Sequence, residues 1–193
     1  TAQEDEKFAD SNTTGNSYYV TVAGGATIKN QGYTSNNRSA MNMEPGAQYN
    51  FSIYARGTGT ITVYVEDDAY KRLTAAQTIS LDSADWKQYS TVLTSDTKED
   101  TLGTLVLEFS DNTDIDMVSL MPVDTWGYTA QDGSETANAN YTYNSNYRLR
   151  EDLMQALLKT NPSFLRFPGG CISEGSYTWD NVYDWKKSVG TAE

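Results

Sequence analysis

From Ser17 to Met121 apolar side chains return at every second position, stretch after stretch. Tyr49, Phe51, Ile53 and Ala55 alternate with Asn50, Ser52, Tyr54 and Arg56; Ile61, Val63 and Val65 alternate with Thr62, Tyr64 and Glu66. Leu105, Leu107 and Phe109 do the same against Val106, Glu108 and Ser110. Successive side chains of a strand point to opposite faces, so a period of two places one set in a core and the other in water. The pattern predicts strands near 17–22, 26–29, 38–42, 48–56, 60–66, 76–80, 86–94, 103–109 and 115–121. Turn formers separate them: Gly24-Gly25, Glu44-Pro45-Gly46, Gly57-Thr58-Gly59, Asp67-Asp68, Ser83-Ala84-Asp85 and Asp111-Asn112. Many short strands without a helical period imply a mainly β protein, an antiparallel sandwich of jelly-roll or galactose-binding-like type.

Composition narrows the chemistry. With no histidine, the Ser-His-Asp triad, the Cys-His dyad and imidazole-based zinc sites are excluded. A single cysteine, Cys171, excludes an intrachain disulfide and a CxxC pair, and leaves either side of a membrane open as the compartment. A formal charge of −12 argues against nucleic acid and against an anionic membrane surface as partners. No apolar run approaches the roughly 20 residues that span a bilayer, and the opening Thr1–Glu6 does not read as a signal peptide. Carboxylate chemistry, hydroxyl and amide recognition and aromatic stacking remain.

Near Asp124 the texture changes. Residues 130–146 are rich in Ala, Asn, Ser, Thr and Tyr without periodicity and read as a long loop. Leu149, Leu153, Ala156 and Leu157 then share one helical face, with Ser145 or Asn146 as N-cap, which predicts a helix over 147–159. Asn161-Pro162 ends it, and Ser163–Phe167 reads as a short buried strand before Pro168-Gly169-Gly170. Helix, strand and glycine loop make one step of an α/β fold. The chain thus divides into a sandwich over 1–123 and a linker with a partial α/β segment over 124–193.

The block Arg166-Phe167-Pro168-Gly169-Gly170-Cys171, followed by Glu174-Gly175 and by Tyr183-Asp184-Trp185-Lys186-Lys187-Ser188-Val189-Gly190, resembles the family 51 α-L-arabinofuranosidases. Val118–Trp126 and Leu149–Leu153 extend the likeness. Residues 17–121 are similar, more loosely, to the sandwich of the longer members and to carbohydrate-binding modules of families 4 and 9; Tyr49–Gly57 and Asp116–Leu120 carry that match. The resemblance implies that 124–193 begin a (β/α)8, or TIM, barrel that removes terminal arabinofuranosyl groups from arabinan or arabinoxylan with retention. It places Arg166 and Cys171 in the sugar subsite, at the mouth of an early barrel strand. Arg166 could hold a carboxylate bidentately, and Gly169-Gly170 allow a tight turn beside a ligand.

Retaining hydrolysis requires two carboxylates about 5–5.5 Å apart. The family's acid/base is a Glu preceded by Asn, and no Asn-Glu dipeptide occurs here. After Phe167 only 193 − 167 = 26 residues follow, where a complete barrel runs to about 250. The expectation is a piece of a larger hydrolase, itself inactive, with no catalytic residue of its own.

Each candidate has a plainer reading. Arg166 could pair with a surface carboxylate, Cys171 could be a small buried hydrophobe, and Glu174 could support its loop. In the sandwich, Tyr18, Tyr33, Asn36, Asn37, Arg38, Tyr64 and Tyr70 could bind a glycan through ring faces and planar polar groups. Alternatively the sandwich has no ligand and serves to pack against the barrel. Asp116, in Asp114-Ile115-Asp116, is the candidate for a structural calcium, although calcium takes six to eight oxygens and only one is nameable. No other cofactor is expected. The apolar faces of Leu153, Leu157, Phe164, Leu165 and Phe167 call for cover, from the sandwich or from a second chain in an oligomer.

Overall fold

The computed structural model describes residues 2–4, 18–34, 37–123, 125, 149–164 and 166. Eight strands are seen among them: β1 (Ala2–Glu4), β2 (Tyr18–Val22), β3 (Thr27–Asn30), β4 (Met41–Met43), β5 (Gln48–Glu66), β6 (Gln77–Thr94), β7 (Thr101–Phe109) and β8 (Thr113–Pro122). Every pairing is antiparallel. The order is β1-β2-β8-β5-β7-β3, with β4 on β7 and β6 on β5. The mainly β expectation holds.

The strand count differs from the sequence reading at three places: β1 was not expected, and two mergers of expected strands build the fold. The segments expected at 48–56 and 60–66 are one 19-residue strand, and those at 76–80 and 86–94 are one of 18 residues. One half of β5, Tyr49 to Gly57, pairs with β8; the other, Ile61 to Glu66, pairs with β7; β6 accompanies both halves. Between them β5 bends. Ala55 faces Lys87 while Gly57 faces Ser83, so β6 carries extra residues at the bend. Gly57 (φ +138°) and Gly59 (φ +87°) take backbone conformations that a Cβ opposes. A second irregularity lies in β8, where Ser119 faces Ser52 but Asp116 faces Tyr54, and Met117 takes φ +50°.

Because of the bend, the inward residues of both halves of β5 meet in one core. Phe51, Ile53 and Ala55 from the first half and Ile61, Val63 and Val65 from the second are all fully buried, with Met43, Leu93, Leu105 and Leu107 among their cluster. The sheet is curled into a sandwich whose filling is the odd-numbered set of β5. At about 1.5–3 kcal/mol per fully buried large aliphatic or aromatic side chain, this cluster is the main source of stability.

The hydroxyl of buried Tyr49 donates to the Asn42 carbonyl (3.1 Å) and accepts the Glu44 N–H (2.9 Å), closing the β4–β5 turn. Burial pushes the Tyr49, Tyr64 and Tyr89 phenols above their ordinary 10.0. The hydrogen bond to Glu66 raises the Lys29 ammonium above 10.5. All four keep their protons longer folded than unfolded, so their contribution is whole below pH 10 and is lost as pH rises through the folded values. Urea midpoints measured against pH should therefore fall above about pH 10, as the unfolded chain releases these protons first. A midpoint that holds to pH 11 would contradict the assignment.

The chain forms two compact units, Thr1–Arg148 and Leu149–Glu193. In the second, α1 (Glu151–Lys159) starts later than the expected 147. Its N-cap position is Arg150, which supplies no side-chain cap bond but pairs with Asp152 at 2.6 Å. An acid in the first turn and Lys159 in the last suit the helix dipole. The end follows the expectation: Thr160 caps it, Asn161 turns left-handed at φ +48°, and Pro162 blocks continuation. The strand expected over 163–167 is not formed at its described residues, Ser163, Phe164 and Arg166. Leu153, Leu157, Leu158 and Phe164 are exposed. No helix among the described residues is long and apolar enough to cross a membrane.

Candidate functional site

Odd positions of β5 fill the core, so Tyr64 and Glu66 lie on the opposite face, where β7 and β3 continue the surface. The register sets Tyr64 against Val106, Val106 against Lys29, and Glu66 against Thr104. Lys29 Nζ forms an ion pair with Glu66 Oε1, whose side chain is only 8% exposed. The Tyr64 hydroxyl donates to Glu108 Oε1 at 2.9 Å, and the Arg72 guanidinium lies 4.4 Å from the Tyr64 ring centroid. The Ser39 and Thr104 hydroxyls are 2.7 Å apart, and the Ser39 N–H donates to Asp68 Oδ1 at 2.8 Å.

The loop after β5 presents Tyr70 above this surface. Asp67 Oδ1 accepts the N–H groups of Ala69 (2.8 Å) and Lys71 (2.9 Å), while the Asp67 carbonyl accepts that of Tyr70 (3.0 Å). Asp67 N–H in turn donates to the Lys71 carbonyl at 2.9 Å. The loop holds Tyr70 at φ +62°, a left-handed conformation costly for a bulky residue, and leaves the residue 75% exposed. Lys29 Nζ lies 4.8 Å from that ring's centroid. An ordered loop thus spends conformational strain on an aromatic ring that stays in water, a feature that gathers at binding surfaces.

A second constellation lies towards the other end of the strand order, over β2, β8, β5 and β6. The Arg56 guanidinium lies 5.0 Å from the Tyr19 ring centroid and 4.8 Å from that of Trp86; the two rings meet edge to face at 5.4 Å. Asp114 fixes Arg56 at 2.8 Å and accepts the Thr21 hydroxyl at 2.7 Å. The hydrogen bond to Asp114 raises the Arg56 pKa further. Cation, rings and acid contact one another, which makes this cluster a lock joining four strands.

The residues singled out from sequence are distributed unevenly. Tyr64 and Tyr70 join the first constellation, and exposed Arg38 flanks it through its neighbour Ser39. Tyr64 is 7% exposed beneath Arg72, so its ring supports the guanidinium instead of offering a free face. Tyr33 is fully exposed in the β3–β4 connection, where Asn37 also lies at φ +54°. Tyr18, on β2, is exposed but sits at the far end of the strand order. Asn36 and Cys171 lie outside the described residues; Arg166 is exposed. Asp116 Oδ1 accepts the Met117 N–H at 2.7 Å within the β8 irregularity. Among the described residues no three His, Cys, Asp or Glu side chains converge into a metal site. Sequence reasoning missed Lys29, Glu66, Arg72 and Glu108; the even positions Thr62, Tyr64 and Glu66 were the available signal, because they share the polar face of β5.

An extracellular exo-α-L-arabinofuranosidase of Streptomyces chartreusis is 31% identical over 190 residues, 92% of this chain and 20% of that protein. At 92% of the chain, the match extends into both units. The chain is homologous to the family 51 α-L-arabinofuranosidases. α-L-Arabinofuranosidase 1 of Arabidopsis thaliana is 30% identical over 177 residues, 89% of this chain and 23% of that enzyme. The chain therefore spans about a fifth of the length of the curated arabinofuranosidases it matches. The structure of the arabinose-bound MgGH51 α-L-arabinofuranosidase aligns with a TM-score of 0.63 at 20% identity, covering 94% of this chain and 29% of that one, which shows a shared fold. No protein-family model matches the chain.

Proposed function

We propose that these 193 residues are part of an α-L-arabinofuranosidase that hydrolyses terminal α-L-arabinofuranosyl groups of arabinan or arabinoxylan with retention. The observation carrying this reading is homology to an arabinofuranosidase across 92% of the chain, sandwich and second unit together. In this reading residues 124–193 open a (β/α)8 barrel, and Arg166 and Cys171 belong to its arabinose subsite. Arg166 would orient the sugar or a catalytic carboxylate through its forked donors. The two catalytic glutamates, one acting as nucleophile and one as acid/base, would lie in sequence beyond these residues. The 193-residue chain alone should release no 4-nitrophenol from 4-nitrophenyl α-L-arabinofuranoside. Hydrolysis by the purified chain, with host enzymes excluded, would sink the proposal that its acids are non-catalytic. A polypeptide joining these residues to a barrel that contains the Asn-Glu pair should hydrolyse the same compound; failure there would count against the assignment as a whole.

A second reading, that the sandwich itself contacts glycan, is favoured by Tyr70. Sugar C–H faces stack on exposed rings while hydroxyls seek planar polar neighbours. Tyr70 is held outward by four hydrogen bonds around Asp67, with Lys29 beside it. Calorimetric titration with arabino- and xylo-oligosaccharides should give heat that Tyr70→Ala removes. Silence with every saccharide would leave the sandwich a packing module.

A further inference from the structure

Around Tyr70 the acids and the bases are treated differently. Each carboxylate already receives donors from within the protein. Glu66 takes Lys29, Glu108 takes the Tyr64 hydroxyl, Asp68 takes the Ser39 N–H, and Asp67 takes the N–H groups of Ala69 and Lys71. The cations of the same loops are not consumed in this way. Among the described residues Arg72, Lys71 and Arg38 form no ion pair. The Arg72 guanidinium sits 4.4 Å from the centroid of the Tyr64 ring, which Glu108 anchors at its hydroxyl, so the guanidinium rests against a fixed ring and pairs with no carboxylate among the described residues.

This is a preorganised fork beside an exposed ring. A guanidinium fork matches a carboxylate through two parallel hydrogen bonds, and an aromatic face matches the C–H face of a sugar. A uronic acid carries both features on one ring. Selection would have to be local, since a chain of charge −12 repels anions at long range.

We propose that the surface formed by Tyr70, Arg72 and Lys71, supported by Tyr64 and Lys29, binds a uronate-bearing saccharide, with the sugar ring against Tyr70 and its carboxylate on Arg72. This deepens, and rests on, the reading that the sandwich contacts glycan.

The test is calorimetric titration of the 193-residue chain at low salt with trigalacturonate, and in parallel with its neutral counterpart α-1,4-galactotriose. Trigalacturonate should bind at least about tenfold more tightly than the neutral trisaccharide, the size expected for one charge-assisted fork. Arg72→Gln should remove that preference, Tyr70→Ala should weaken both sugars, and added sodium chloride should weaken the acidic one. Thermal melts of each variant establish that the fold is intact; Arg72 and Tyr70 are exposed, and Arg72→Lys supplies a milder change at the same place. Equal affinity for both trisaccharides, with dependence on Tyr70, overturns uronate selection and leaves the glycan-contact reading standing. Acidic binding that survives Arg72→Gln overturns the site. Absence of binding to either sugar overturns the proposal and the reading beneath it.

Discussion

Phe51→Ala should lower the free energy of unfolding by about 3–5 kcal/mol, the range for emptying a large aromatic site in a packed core. Phe51 is completely buried in β5, between Thr91 of β6 and Leu120 of β8 in the register. Strands on both sides and the opposite half of β5 limit how far the gap can collapse, which puts the cost towards the upper part of that range. A domain's whole stability is about 5–15 kcal/mol, so the variant should stand at the margin of folding. Urea unfolding followed by tryptophan fluorescence measures it. Ser52→Ala, the next residue on the opposite and partly exposed face, should change stability by less than about 0.5 kcal/mol. A loss below about 1 kcal/mol for Phe51→Ala would mean that the core is not centred where the bend places it.

Gly103→Ala should cost about 1–3 kcal/mol through overpacking. Gly103 lies in β7 opposite Met41, and a Cβ there would meet Val65 Cγ1 at 2.4 Å and Met43 Cγ at 3.1 Å. Val65 and Met43 are fully buried and have little room to move. The cause is space, so it can be relieved. Val65→Ala removes the closest contact, and the double variant should be less destabilised than the sum of the two singles, with a coupling of about 0.5–3 kcal/mol. Strict additivity would show that something other than this contact excludes the side chain.

Period-two alternation made the sandwich legible, because burial on one face writes itself directly into neighbouring residues. Tyr49 to Ala55 and Ile61 to Val65 are inward-facing as their alternation implies. The continuity of β5 was hidden. Gly57-Thr58-Gly59 carries the residue types of a turn, and only pairing with β6 on both sides shows that the chain bends there without reversing. Ser83-Ala84-Asp85 misled in the same way. The surface at Tyr70 was half visible. The tyrosines could be named, but Lys29 meets Glu66 only because β7 aligns β3 with β5, a register that no local pattern encodes. In the second unit, the stop at Asn161-Pro162 was readable because proline forbids the next helical bond. The start was not, since Arg150 brings no cap residue to mark it.

Since β5 and β6 run unbroken through both layers, neither layer can open while the other stays shut. β2 meets β8, and Thr21 reaches Asp114, across 93 residues of sequence, so assembly must close very long loops before most contacts exist. The lobe should accordingly form slowly and melt as one unit. Hydrogen exchange should then report a single opening energy along the whole of β5, on both sides of its corner.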